Sequence, residues 1–213
     1  MRRILIFGGL LLIATALCIT AYILWDEQRA GQATQQTLEQ MAQVQPDSQP
    51  PGTDGEHAVT PQPESPGYLL DPEMEMPTVD INGTAYIGTL EIPALELTLP
   101  VISQWSDQAL KLAPCRYTGS AYLNDLIIAG HNYKRHFARL NELNLGDDVL
   151  FTDIDGHLFS YQVSKLEQLA GTAVEEMEAG EWDLTLFTCT IGGKARMTVR
   201  CERQNDTDYG EVR

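Results

Sequence analysis

Between residues 87 and 203 the chain is a succession of short segments rich in aliphatic, β-branched and aromatic residues, separated by turn residues. In "DVLFTDIDGHLFSYQV", two alternating runs flank Asp155-Gly156, a dipeptide that favours a hairpin turn. The segments "IGTLEIPALELTLPVI", "LIIAG", "LTLFTC" and "RMTVRCER" are also typical strands, whereas only "SDQALKLA" and "FARLNEL" suggest short helices. This pattern predicts a mainly β domain, either an antiparallel-rich barrel or a sandwich.

The N-terminus has a different character. Arg2 and Arg3 precede residues 4–24, an apolar run that as a helix would span roughly 31 Å, the thickness of a bilayer core. We therefore expect residues 1–25 to form a cytoplasmic tip and a single transmembrane anchor. A cleaved signal peptide is the alternative, but its apolar region is usually only about 7–15 residues long. The two arginines should hold the N-terminus in the cytoplasm, which places the rest of the chain outside the membrane.

The composition of residues 26–213 indicates three segments. Residues 26–77 are rich in Gln, Pro, Thr, Gly and acidic residues, and we expect them to form a flexible extracytoplasmic linker. Residues 78–205 are expected to form the folded domain, and residues 206–213 a polar tail. Overall hydrophobic content of 43% is sufficient for one core. A formal charge of -16 argues against nucleic-acid binding, which requires clustered Lys and Arg.

The last two strands can be paired by parity, because successive side chains of a strand alternate between its faces. If Leu184 and Leu186 point into the core, Cys189 lies on the opposite face. If Val199 also points inward and pairs with Leu186, Arg196 lies directly across from Cys189. A thiol beside a guanidinium is favoured to ionise, and the thiolate is the reactive form. Cys189 is therefore a candidate nucleophile.

The other three cysteines have simpler interpretations. Cys18 lies within the expected anchor, and Cys201 falls on the core face of its strand, so both are expected to pack as apolar residues. Cys115 follows Pro114 and is undetermined. A disulfide between Cys115 and Cys201 is possible outside the cytoplasm. A zinc site is disfavoured because no C-x-x-C or H-x-x-H spacing occurs.

Two histidines compete for an imidazole role. His131 ends the expected buried strand 126–129 and follows Gly130, which lets a backbone or a ligand come close. It is either a catalytic group or a surface histidine at a strand end. His136 lies in "KRHFARL", a setting that suggests a solvated loop or a helix start.

The order of these motifs resembles that of a known family. "IIAGHN", then "LTLFTC", then "ARMTVR" are similar to the His, TLxTC and Arg motifs of the sortases. Upstream, "GTLEIPALELTLPV" resembles the opening strands of that family, and "LNELNLGDDVLFTDIDGHLFSYQV" resembles its central hairpin. The resemblance covers roughly residues 86–203.

This resemblance implies an eight-stranded β-barrel and a cysteine transpeptidase with no cofactor. By position, Cys189 is the nucleophile, His131 the general acid/base and Arg196 the group that steadies substrate and oxyanion. The expected substrates are surface proteins with a C-terminal LPxTG-like sorting signal. The expected acceptor is an amine of a peptidoglycan precursor or of a pilin. A protease that mainly hydrolyses its acyl intermediate and a non-catalytic tethered binding module are the alternatives. The subclass stays open.

The resemblance also gives a role to residues 171–183, "GTAVEEMEAGEWD". In sortases the corresponding loop forms one wall of the groove that binds the sorting signal. Val174, Met177 and Trp182 would supply apolar surface for a Leu-Pro-like segment. The acidic stretch 174–182 could bind calcium, although a solvated loop is the more ordinary interpretation.

Overall fold

In a computed structural model, the structure is described for residues 13–21, 35–41, 66–190 and 192–204. Nine strands are present in this part of the chain: β1 (Val79–Ile81), β2 (Thr84–Ile92), β3 (Leu97–Ile102), β4 (Cys115–Thr118), β5 (Leu126–Gly130), β6 (Asp148–Asp153), β7 (Leu158–Ala170), β8 (Leu184–Cys189) and β9 (Ala195–Arg203). Two short α-helices span Gly67–Leu70 and Val174–Glu178, and 3₁₀ turns span Pro93–Leu95, Ala109–Lys111 and Leu140–Glu142. Residues 13–21 and 35–41 are helical.

The sheet closes on itself. Its strand order is β1-β2-β3-β4-β5-β8-β9-β7-β6, and β6 also pairs with β2. Strands β2 to β9 therefore form a closed eight-stranded barrel, which confirms the predicted fold. Strand β1 pairs with residues 84–86 of β2, before the part of β2 that pairs with β6. The β3–β4 and β5–β8 pairs are parallel, and the other pairs are antiparallel. Closure leaves the eight barrel strands without an exposed edge.

Alternation along the strands fills the barrel. In β6, the core positions Val149, Phe151 and Asp153 are buried, and the residues between them are not. Inward-facing residues of β2, β3, β5, β7, β8 and β9 join one apolar cluster that includes Leu126, Ile128, Phe159, Tyr161, Leu184, Leu186, Val199 and Cys201. The predicted hairpin at Asp155-Gly156 is confirmed, with Phe151 opposite Phe159.

The described parts of the expected linker pack on this barrel. Tyr68 stacks on Tyr122 with ring centroids 4.7 Å apart, and Met76 belongs to the interior cluster. Met41, at the end of helix 35–41, is buried against a second cluster that contains Tyr86. Segments before residue 78 therefore contribute to the packing, and the other residues of the expected linker lie outside the described part of the chain.

Most of the expected membrane anchor, residues 4–24, also lies outside the described residues. The described portion, 13–21, is helical and exposed. Among all described residues, no helix is long and apolar enough to cross a membrane.

Candidate active site

Three adjacent strands bring His131, Cys189 and Arg196 to one end of the barrel. In the parallel β5–β8 pair, the last partners are Gly130 and Thr188. His131 and Cys189 are the next residues after these partners, one at the end of each neighbouring strand. In the antiparallel β8–β9 pair, Cys189 lies directly across from Arg196, as the parity argument predicted. Leu186 lies across from Val199, both fully buried, whereas Cys189 is exposed on the opposite face.

A cavity of about 240 Å³ begins at Cys189 and Arg196 and runs over the outer face of β4, β5 and β8. Its apolar walls come from the segment after β3, from the strands themselves and from the loop after β7. The wall residues that carry large side chains are Trp105, Leu110, Tyr117, Val174, Met177 and Phe187. A mostly apolar cleft that ends at a thiol and a guanidinium is suited to hold an extended peptide with apolar side chains.

Cys189 is exposed to solvent, whereas the other two thiols of the barrel are buried. Cys115 and Cys201 are fully buried, in different clusters, and both are free, so the disulfide considered from the sequence is not formed. Burial raises the pKa of Cys115 to about 12 and raises that of Cys201 above its ordinary value. Both thiols therefore stay protonated at neutral pH and are poor nucleophiles.

The loop after β5 holds His131. The backbone N–H groups of Tyr133 and Phe137 donate to the His131 carbonyl, at 2.8 and 3.2 Å, and fold the loop back over the strand end. The imidazole stacks on the Tyr133 ring at 4.0 Å, and its Nδ1 accepts a hydrogen bond of 3.0 Å from the Asn132 N–H.

Gly130 makes this loop conformation possible. A Cβ atom at this position would lie 2.3 Å from the ring of Phe137, which is fully buried. The glycine before His131 was expected to let a backbone or a ligand come close. In the structure, the group that lies close to Gly130 is the side chain of Phe137, from the same loop.

Arg196 is oriented by the tight turn between β8 and β9. Its Nη1 donates to the carbonyls of Gly193 at 3.1 Å and Ala195 at 3.3 Å. Within the described residues these are the hydrogen bonds that Arg196 makes, so Nε and Nη2 keep donors for another group. Gly171 lies beside the turn, where a Cβ would be 3.5 Å from Nη1.

The neighbouring arginines of β9 have other partners. Arg200 is on the same face as Arg196 but is 98% buried, beneath the helix Val174–Glu178, and it does not line the cavity. Arg203 lies on the other face, where it donates to Asn124 and covers the Phe159 ring at 4.7 Å. Of these three arginines, Arg196 is the one that lines the cavity with Cys189.

The position of His136 differs from the one predicted from the sequence. It was expected in a solvated loop, but it is fully buried beneath that loop, and neither ring nitrogen has a hydrogen-bond partner among the described residues. Burial, together with the nearby His131, lowers the pKa of His136 to about 4. The ring is therefore neutral at physiological pH. Basic neighbours in "KRHFARL" had suggested exposure, but the adjacent Phe137 draws this turn into the core.

This burial predicts a pH-dependent stability. The unfolded chain binds a proton at His136 below about pH 6.5, whereas the folded chain does so only near pH 4, so folding is destabilised as pH falls between these values. The loss from this residue should be about 3 kcal/mol. Urea unfolding of the wild type and His136→Leu from pH 7 to pH 4 should show the variant gaining by that amount relative to the wild type. A constant difference across this range would show that His136 is not buried in the neutral form.

The loop 171–183 divides between two cavities. Val174 and Met177 line the cavity that contains Cys189, as expected, whereas Trp182 lines a neighbouring one with Asp125 and Thr185. Trp105 and Tyr117 form the facing wall and contact each other edge-to-face at 6.3 Å. No periodicity marks these two residues in the sequence, and only their clustering in space reveals them. No group of three or more His, Cys, Asp or Glu side chains able to hold a metal occurs among the described residues.

Comparisons with known proteins agree with this fold. The sequence matches the family described as "Sortase domain" over residues 90–204, more than half of the chain. Sortase C1 from Streptococcus suis superposes with a TM-score of 0.50 at 25% identity, over 59% of this chain and 76% of its own. Sortase A from Corynebacterium diphtheriae superposes with a TM-score of 0.51 at 19% identity, over 60% of this chain and 66% of its own. Sortase C1 of GBS Pilus Island 1 superposes with a TM-score of 0.51 at 21% identity, over 60% of this chain and 68% of its own. No curated protein matches the chain.

The barrel, the cleft and the domain match together define a cysteine transpeptidase. The chain belongs to the sortase family.

Proposed function

We propose that this sortase is anchored in the membrane, cleaves an LPxTG-like sorting signal through a thioacyl intermediate on Cys189 and transfers the protein to an amine of a cell wall precursor or a pilin. One observation carries the proposal: the exposed Cys189 lies directly across from Arg196 at the end of an apolar cleft, and the neighbouring strand β5 leads into His131.

The geometry supports a two-step acyl transfer. In the first step the Cys189 thiolate attacks the carbonyl carbon of the scissile peptide bond. The C–N bond breaks, and His131, as imidazolium, gives a proton to the departing amine, which leaves a thioester. In the second step the incoming amine attacks this thioester, His131 takes its proton, and the thiolate leaves. Arg196 donates from Nε and Nη2 to the oxyanion that develops in each step.

The cleft supports a sorting signal with apolar residues. Val174, Met177 and Phe187 line the same cavity as Cys189. A Leu-Pro-like segment of the substrate, before the scissile bond, would lie against these side chains. The acceptor is open between wall precursor and pilin, because a sortase A and pilus-associated sortases have nearly the same TM-score. These similarities also leave the subclass open.

The sequence supports the proposed location. Arg2 and Arg3 before the apolar run 4–24 favour a single-pass anchor with a cytoplasmic N-terminus and an extracytoplasmic barrel, as at a Gram-positive cell surface. Both substrates proposed above, the sorting-signal protein and the acceptor amine, are found on that side of the membrane.

The test is a transfer assay with the full chain in detergent. A library of LPxTG-like peptides is incubated with and without several amines, and the products are separated by mass spectrometry. We expect cleavage within the motif and, with an accepted amine, a ligated product that replaces most of the hydrolysed one. Cleavage with no ligation to any amine would identify a hydrolytic protease instead. No cleavage of any peptide would favour a binding module.

A further inference from the structure

The buried Arg200 and the cleft wall above it carry one inference beyond the reaction itself. Residues 171–183 contain four glutamates and one aspartate and no lysine or arginine. Their helix, Val174–Glu178, has only five residues, too short to be stable on its own in water. The position of this cleft wall must therefore be fixed by contacts with the barrel.

Arg200 supplies these contacts. Its Nη1 donates to the carbonyl of Met177 at 2.9 Å and to the Thr185 hydroxyl at 3.0 Å, and its Nη2 donates to the carbonyl of Glu176. Both carbonyls lie in the last turn of the helix, where backbone acceptors lack a helical partner and a cation is favoured. Its Nε donates to the Glu167 carboxylate at 3.0 Å.

Glu167 completes the charge balance. Lys165 contacts its other oxygen at 2.7 Å from the solvent side. Burial raises the pKa of Glu167, but the hydrogen bonds and charges of Lys165 and Arg200 outweigh this effect, so the pKa lies below its ordinary value. The carboxylate is therefore ionised at neutral pH, and the buried guanidinium has both a counterion and hydrogen-bond acceptors.

We propose that Arg200 is a positioning residue for substrate selection, because it holds the helix Val174–Glu178, and with it Met177 and Val174, at the distance from β5 and β8 that fits the sorting signal. Arg200 acts through the cleft wall and not on the reacting atoms. Arg200 and Arg196 are four positions apart along β9, roughly 13 Å in an extended strand. This inference rests on the proposed sortase reaction.

The tests use three substitutions and a matched control in the full chain. Arg200→Lys keeps the charge but cannot reach four acceptors in different directions. Thr185→Val and Glu167→Gln each weaken one contact and are less disruptive to folding. Lys165→Gln is the control, since Lys165 contacts the same Glu167 but not the helix.

Kinetics with the best sorting peptide give the first result. For Arg200→Lys we expect KM to rise by about tenfold or more while kcat changes by less than about threefold, because a binding wall is displaced and the chemistry is not. Thr185→Val and Glu167→Gln should raise KM less, and Lys165→Gln should leave it unchanged. A fall in kcat with unchanged KM for Arg200→Lys would overturn the proposal by placing Arg200 in the chemical step.

Amide hydrogen exchange without substrate gives a result that does not depend on activity. Exchange at residues 174–178 should accelerate at least about tenfold in Arg200→Lys and remain as in the wild type in Lys165→Gln. Unchanged exchange in Arg200→Lys would overturn the anchoring role even if the wild type cleaves peptides. Failure of the wild type to cleave any sorting peptide, with accelerated exchange in the variant, would instead overturn the proposed reaction and, with it, the role in selection.

Discussion

Cys189→Ala is expected to abolish both cleavage of the sorting peptide and transfer to an amine, because the thioacyl bond has no other atom on which to form. Loss of a catalytic nucleophile typically removes roughly four to six orders of magnitude of rate. The residual rate should therefore fall below about 0.01% of wild type in the assay described above. Folding should be unaffected, since this side chain is exposed and belongs to neither core cluster of the described residues.

The controls are the two buried thiols. Cys115→Ala and Cys201→Ala should keep the reaction, with lower thermal stability because each substitution leaves a small cavity in the packing. Retention of turnover in Cys189→Ala, together with its loss in a well-folded Cys115→Ala or Cys201→Ala, would assign the reaction to a different cysteine.

Arg196→Lys is expected to lower kcat by about 100- to 1,000-fold, the usual effect of losing one oxyanion donor. Lysine preserves the charge, but its single ammonium cannot hold the Gly193 and Ala195 carbonyls and also donate from a second nitrogen. Circular dichroism should show an intact barrel, since Arg196 is only partly buried.

Arg200→Lys is the matched comparison, because it makes the same chemical change on the same face of the same strand. It should affect KM and not kcat. If Arg196→Lys keeps wild-type kcat while Arg200→Lys loses it, the oxyanion role belongs to Arg200, and the β8–β9 register in solution differs from the one described.

The sequence was most informative where apolar alternation indicates which face of a strand points into the core. With Leu184, Leu186, Val199 and Cys201 facing the core and Leu186 paired with Val199, Cys189 lies opposite Arg196, and the structure has this pairing. The hairpin at Asp155-Gly156 was predictable for a similar reason, since its turn dipeptide and its alternating strands agree.

Features that depend on long-range packing could not be predicted in this way. Strand β4 has only four residues, and of these Cys115 alone is buried, so it shows no alternation. Arg200 has the same parity as Arg196, which by itself indicates an outer face, but that face is covered by a helix from 24 residues upstream. His136 lies among charged residues and is nevertheless buried, since the loop folds inward at Phe137. Tyr68 and Met76 belong to a proline-rich stretch whose composition favours a linker.

The proposed function requires Cys189 to carry the acyl group. This is tested by the mass of the full chain during turnover of a sorting peptide without an amine, quenched in acid and digested for peptide mapping. We expect an adduct with the mass of the acyl fragment, on the peptide that contains Cys189, removed by hydroxylamine and absent in Cys189→Ala. An adduct on Cys115 or Cys201, or turnover with no acyl-enzyme in a rapid-quench experiment, would rule out Cys189 as the carrier.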